Sequence, residues 1–305
     1  MGSKSSICDD LIPIFPKAEN FYDIFGGGFS VTHAMLVRRK SHFNNFYFNE
    51  IRPGICELIQ NAINGKFNYD NFKPEWVSSS EFHKRKDSNA YIKLIWSFGN
   101  NGKNYLFSKE IEPLKKSIHN AIVFNDFDNL AKELFGCNNF KESTITQRRL
   151  YLRYRFSFYQ KNIDKQLQQL ERLERLQKLQ QLQQLQQLHF SCVSYDKVEI
   201  KQNSIIYCDP PYQGTGKYDK EFDHRKLLDW AHHQENPVFI SEYKINDKRF
   251  RPIFKINKVQ TLYPTSRIVK NEMVYANKAA FYLLIESRRQ TKINNGDCSE
   301  KTKIS

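Results

Sequence analysis

Ser204-Ile205-Ile206-Tyr207-Cys208-Asp209-Pro210-Pro211-Tyr212 decides the fold of this 305-residue chain. Its first five residues are apolar and rich in β-branched side chains, and they stop abruptly at a carboxylate, two prolines and an aromatic. That pattern reads as a buried strand ending in a rigid loop. In an open α/β sheet, ligands bind at the carboxyl ends of the strands. The loop also has a chemical use. Prolines lack an N–H and leave their carbonyls free, so Asp209 and Pro210 together can accept the hydrogens of an exocyclic amino group. Tyr212 offers a flat face on which a base could stack. Asp209, Pro210, Pro211 and Tyr212 are therefore the candidate catalytic residues, and they suit amino-methylation of a base.

Working outward, the same alternation of strands and helices recurs at both ends of the chain. Asn20 to Phe25 reads as a strand, Gly26-Gly27-Gly28 as a tight turn, and Val31 to Arg39 as a helix. Phe46-Tyr47-Phe48 follows as a second strand ending in Asn49-Glu50, with a helix from Pro53 to Ile63. From about 190 onward, strands are expected at Phe190–Val193, Ile205–Cys208, Val238–Ser241, Glu272–Tyr275 and Ala280–Ile285, with a helix at His224–His233. The two halves are expected to build one α/β sheet.

Between them lies polar, charged sequence of helical pattern. It includes the basic aromatic stretch Arg148-Arg149-Leu150-Tyr151-Leu152-Arg153-Tyr154-Arg155. Arg148, Arg149, Arg153 and Arg155, with Tyr151 and Tyr154 interleaved, are the candidate DNA contacts. A Leu/Gln-rich repeat over 165–188 then places leucine at every third position from Leu167 to Leu188. On an α-helix each step of three falls about 60° short of a full turn, so the leucines circle the axis. The expectation is a surface helix about 30 Å long at 1.5 Å per residue, not a coiled coil.

The 47 Lys+Arg against 33 Asp+Glu give a formal charge of +14, which favours a polyanionic partner such as nucleic acid. No stretch has the roughly 18 apolar residues of a membrane span and no signal peptide is evident, so a cytoplasmic location is expected. The six cysteines form no C-x-x-C pair and read as buried thiols; neither they nor the eight histidines have metal-ligand spacing.

A cofactor half accompanies the loop. Asp23-Ile24-Phe25-Gly26-Gly27-Gly28 brings flexible backbone to a strand-to-helix junction, where a ligand can approach the main chain. Glu50 ends the next strand, at the place where doubly wound folds bind the hydroxyls of a ribose. The G-x-G-x-x-G dinucleotide spacing is missing, which disfavours a nicotinamide oxidoreductase.

As a set, these motifs resemble the Dam-like (D12 class) DNA adenine-N6 methyltransferases of phages and bacteria. Gly2-Ser3-Lys4 with Asp9-Asp10-Leu11-Ile12 and Pro16 resembles the amino-terminal motif, whose lysine helps hold the cofactor. Asp23 to Val31 resembles the Phe-x-Gly-x-Gly motif, with Ile24 where the family usually has proline and Phe29 where it has the last glycine. Ser97 to Lys103 sits where the family often has a glycine-containing loop. Phe190 to Tyr195 resembles the strand and loop beside the cofactor adenine, and Phe239 to Tyr243 the strand after the catalytic loop.

The resemblance implies a Rossmann-like class I methyltransferase with a mixed sheet. Residues 1–70 and 190–287 would form the S-adenosylmethionine-binding domain, 71–189 an inserted helical DNA-recognition region, and 288–305 a disordered tail. It implies S-adenosylmethionine as cofactor, held by Lys4, Asp23, Phe25, Gly26, Gly27, Glu50, Ser194, Tyr195 and Asp209, and no metal. The substrate would be adenine N6 of a base flipped out of double-stranded DNA near Tyr212, the enzyme acting as a monomer or weak dimer. Cytosine-N4 or RNA adenine methylation uses similar chemistry, and a DNA-binding module with a degenerate cofactor pocket is the alternative outside catalysis.

Overall fold

The computed structural model describes residues 7–155, 167–183, 187–212, 222–263 and 266–300; for 153, 155, 257–271 and 291–300 it describes the main chain alone. The chain divides into two compact units, one formed by residues 2–56 with 187–305 and the other by residues 57–186.

The first unit carries the sheet. Its strands are β1 (Asn20–Asp23), β2 (Asn45–Asn49), β3 (Leu188–Ser191), β4 (Ser204–Cys208), β5 (Val238–Glu242), β6 (Arg251–Tyr263) and β7 (Ser266–Ala276). They lie in the order β3-β2-β1-β4-β5-β7-β6. β3, β2, β1, β4 and β5 run parallel to one another, while β7 runs antiparallel to both β5 and β6. This is a Rossmann-like α/β arrangement with an antiparallel strand inserted near one edge.

Parallel strands are covered on both faces and so read as continuous apolar runs. Every residue of β1, β4 and β5 is buried. One face packs Phe21, Phe46 and Phe239 under Phe15, whose ring centroid lies 5.4, 5.5 and 5.3 Å from those of Phe21, Tyr207 and Phe239. Phe15 is delivered by the short helix α1 (Cys8–Leu11) and the single 3-10 turn after it. The other face packs Tyr22, Ile206, Cys208 and Ile240 against Leu227 and Ala231. Those two residues belong to helix α10 (His224–His233), which begins and ends where the sequence places it.

Two expectations at the carboxyl end fail. Ala280–Ile285 is not a strand, and Arg288 onward is not a structureless tail as far as Glu300; both lie in helix α11 (Lys278–Glu300). The signal is Asn277, whose side-chain oxygen accepts from Ala280 N at 2.9 Å as an N-cap while its amide binds the Ala231 and Asn236 carbonyls. The long strand β6 was not anticipated. Pro252 argues against a central strand, but β6 is the edge strand and has a register shift between Pro252 and Phe254.

Helix α2 (Ser30–Arg38) joins β1 to β2, and helix α3 (Ile55–Ile63) contains the division between the units. The remaining helices belong to the second unit: α4 (Ser79–Arg85), α5 (Ala90–Ile95), α6 (Glu112–Phe124), α7 (Asn129–Phe135), α8 (Ile145–Arg155) and α9 (Gln168–Gln177). The insert thus begins at 57, not 71, because residues 57–70 pack with it. Phe67 stacks on Tyr91 at 5.3 Å, and the Asn68 amide meets the Gln180 side chain.

The leucine repeat is core, not surface. Leu167, Leu170 and Leu173 on or beside α9 are 1, 0 and 0 % exposed. Because the stripe turns around the helix, it serves two clusters: Leu167 and Leu170 join the one containing Ile118, Phe135 and Phe140, while Leu176 packs on the one containing Trp96. From Lys178 to Leu182 the chain tightens into a 3-10 helix. At three residues per turn a spacing of three stays on one face, and Leu179 and Leu182 are buried accordingly. Leu185 lies outside the described residues, and Leu188 opens β3.

The expectation of buried thiols holds for Cys8 and Cys208, but Cys56 and Cys137 are half-buried and Cys192 is exposed. Among the described residues no helix is long and apolar enough to cross a membrane.

Candidate active site

Three strand ends of the first unit bring the sequence motifs together. Asp23 closes β1 and is 1 % exposed, and its Oδ2 accepts from Thr32 Oγ1 on α2 at 2.7 Å. Burial pushes its carboxyl up to about 7; the Thr32 hydrogen bond opposes the rise, and the charges of Asp209 and Glu50 add to it. Asp23 thus lies within electrostatic reach of both Asp209 and Glu50. Such a cluster suits a cationic ligand.

The glycine turn is built for close approach. A methyl group on Gly26 would lie 2.0 Å from the Phe48 ring, so only glycine fits there. Gly27 has φ +55° and donates its N–H to Glu50 Oε2 at 2.8 Å. Phe29, where the family has glycine, still adopts the left-handed conformation, with φ 70° and ψ 11° at the start of α2. Burial offsets this strain: Phe29 is 1 % exposed and packs on Phe48 and Phe190 at 5.2 and 6.2 Å.

Glu50 is 6 % exposed, and besides Gly27 it holds Arg52, accepting from its backbone N at 3.0 Å and its Nε at 2.9 Å. Beside it, Asn49 ties three strand ends into one frame. Its amide donates to the Ile24 and Val193 carbonyls at 3.0 Å each, and its oxygen accepts from Ser191 Oγ at 2.8 Å. The sequence reading passed over Asn49, although a buried amide at a strand end is a signal for such a bracket.

A hydrophobic corner lies above the turn. The Phe25, Tyr195 and Phe222 ring centroids are 5.5 to 5.9 Å apart. Phe222 was not foreseen. The Tyr195 hydroxyl is buried with no hydrogen-bond partner among the described residues, and burial pushes its phenol up to about 12. Ser194 Oγ binds Asp196, which Lys226 holds at 2.6 Å; those bonds pull the Asp196 carboxyl down to about 2.

In the Asp209–Tyr212 loop Asp209 and Pro211 are half-buried and Pro210 is buried. Tyr212 is drawn inward: its ring meets Tyr243 edge to face at 4.6 Å and 71°. Burial and the Asp209 charge push its phenol far up. A cavity of about 540 Å³ opens beside the loop between Pro210, His224, Ile240, Glu242, Lys244 and Asn246. Lys4 lies outside the described residues.

The basic helix of the second unit is not what the sequence predicts. Arg148 is 8 % exposed, and its guanidinium donates to the Ile122, Val123, Glu142 and Ser143 carbonyls, two of them at the carboxyl end of α6. Arg149 is 3 % exposed and paired with Glu174. Both are internal struts, not phosphate contacts. Tyr151 packs on the Phe140 cluster, Tyr154 is 86 % exposed, and the side chains of Arg153 and Arg155 lie outside the described residues.

The sheet order and the acid-lined strand ends define a Rossmann-like methyltransferase. The profile of the D12 class N6 adenine-specific DNA methyltransferases matches residues 1–287, and the chain belongs to that family. It is accordingly a DNA adenine-N6 methyltransferase. Two solved structures of the rRNA methyltransferase AviRa from Streptomyces viridochromogenes are also similar. One is 9 % identical with a TM-score of 0.37 and the other 8 % identical with 0.35; each match covers 94 % of this chain and 88 % of that one. At those scores the likeness bears on neither substrate nor mechanism.

Proposed function

We propose that the chain transfers methyl from S-adenosylmethionine to N6 of an adenine flipped out of double-stranded DNA. The observation that carries this reading is the convergence of Asp23, Glu50 and the Asp209–Tyr212 loop at the ends of β1, β2 and β4. The residues present fit the cofactor. The acid Asp23, with Asp209 and Glu50 within its electrostatic reach, suits a sulfonium cation, and the Phe25–Tyr195–Phe222 corner, with its spare buried hydroxyl, suits a purine. When bound, S-adenosylmethionine supplies an electrophilic methyl group.

The chain's own part is positioning. Asp209 and the Pro210 carbonyl would accept the two amino hydrogens and so expose the N6 lone pair, while Tyr212 offers its ring to the base. Glu50 would exchange the Arg52 guanidinium for ribose hydroxyls, since its two oxygens already accept from Gly27 and Arg52. Lys4, Gly26, Gly27, Ser194 and Asp23 complete the cofactor set by family resemblance. For DNA, the charge of +14 and the exposed aromatics Tyr154 and Phe98 of the second unit support contact with bases and phosphates; Phe98 is 62 % exposed in the loop closed by the Ser97–Tyr105 bridge.

The test is Asp209→Ala. It should retain cofactor binding at least in part and lose methyl transfer to DNA; unchanged turnover would sink the assignment. Mass spectrometry of nucleosides from treated DNA and RNA should find N6-methyladenine in the DNA alone.

A further inference from the structure

We propose that Glu272, on the antiparallel strand β7 and remote in sequence from the catalytic loop, is the positioning residue for Tyr212: it receives the phenol hydroxyl and so sets the ring face offered to the base. The inference rests on reading Tyr212 as the stacking platform.

Glu272 is 1 % exposed. A carboxylate so deeply buried is costly unless a donor meets it. Pairing of β5 with β7 sets Ser241 opposite Val274 and Glu242 opposite Met273. The next step outward brings Glu272 across from Tyr243, the residue whose ring packs edge to face on Tyr212. There the Glu272 carboxyl comes within reach of the Tyr212 hydroxyl, and its proximity adds to the upward push on that phenol.

The ring is thus held twice. The Tyr243 contact fixes its side, and the hydrogen bond fixes its tip. A phenol ring has two torsions, and these two contacts fix both. The same acid lies within electrostatic reach of Tyr207, whose hydroxyl shares a 2.8 Å hydrogen bond with Ser241. This gives the inserted strand β7 a role in the site.

A base stacked on Tyr212 inherits the orientation of that ring, and a misplacement of about 1 Å costs roughly 100-fold in rate. The test is a double-mutant cycle on the full chain. It uses unmethylated plasmid DNA and tritiated S-adenosylmethionine, with cofactor affinity measured in the absence of DNA. Tyr212→Phe and Glu272→Leu should each lower kcat/KM for DNA about ten-fold or more, as expected for loss of a hydrogen bond to a charged group. Cofactor affinity should stay within about two-fold, since neither residue belongs to the β1 turn or to the end of β2.

The double variant should be no worse than the weaker single variant, and Glu272→Gln, which keeps an accepting oxygen, should recover most of the activity. Losses that multiply, or a Glu272→Gln as impaired as Glu272→Leu, would overturn the proposal. If Glu272→Leu does not fold, Tyr212→Phe and Glu272→Gln decide: a fully active Tyr212→Phe overturns it. Tyr212→Ala separates the two readings. Full activity there removes the stacking platform itself, whereas a dead Tyr212→Ala beside a fully active Tyr212→Phe removes only the anchoring by Glu272.

Discussion

Asp23→Asn tests the acid cluster through stability instead of activity. In the folded chain the Asp23 carboxyl is raised from 3.8 to about 7, mainly by burial. A group whose folded value is raised contributes stability that is complete below its unfolded value and is lost as pH rises through the folded one. Ionising Asp23 thus opposes folding. With those two values, wild type should lose roughly 2.5 kcal/mol from this group between pH 5 and pH 8. Asparagine keeps an oxygen for Thr32 Oγ1 and carries no charge. Other titrating groups are common to both proteins, so the difference between their stabilities isolates Asp23. Urea unfolding at pH 5, 6, 7 and 8 should show Asp23→Asn gaining on wild type by about that amount, roughly half of it between pH 5 and 6 and little above pH 7. A difference that does not change with pH would refute the reasoning, because Asp23 would then be neither desolvated nor near its acidic neighbours.

Arg148→Met should destabilise the chain by about 3 kcal/mol, since four carbonyls lose a charged donor; the salt dependence of DNA binding should not change, and a slope reduced by about 0.9 would restore Arg148 as a phosphate contact. Phe29→Gly should relieve roughly 1 kcal/mol of left-handed strain yet cost about 3 kcal/mol or more of packing. A rise in Tm for that variant would show that the ring adds less than its burial implies. Glu50→Ala should weaken S-adenosylmethionine binding, whereas Arg52→Ala should bind at least as tightly as wild type; titration calorimetry distinguishes this from a scheme in which Arg52 itself holds the cofactor.

The sequence by itself determined the parallel strands and the loop proposed as the site, but neither the edge strand β6 nor the helical end of the chain. The parallel strands β1, β4 and β5 are buried on both faces and must be written in apolar residues, so they announce themselves, as does the loop where β4 runs out of apolar sequence. Asp23, Gly27 and Glu50 were legible for a related reason, each standing at a strand end where backbone is free to meet a ligand. What lay out of reach depends on neighbours distant in the chain. The basic stretch at 148–155 reads as a solvent face because charge in a sequence carries no direction; only the carboxyl end of α6, with carbonyls in need of donors, turns Arg148 inward. The leucine repeat reads as a surface helix while one helical period is assumed, and the switch to a 3-10 turn at Lys178 is set by the core it enters. Glu272 is the clearest case. As a residue in a β-strand it could face either way, and only the insertion of β7 between β5 and β6 places its carboxylate in the interior, where a buried charge must find a donor and Tyr212 supplies one.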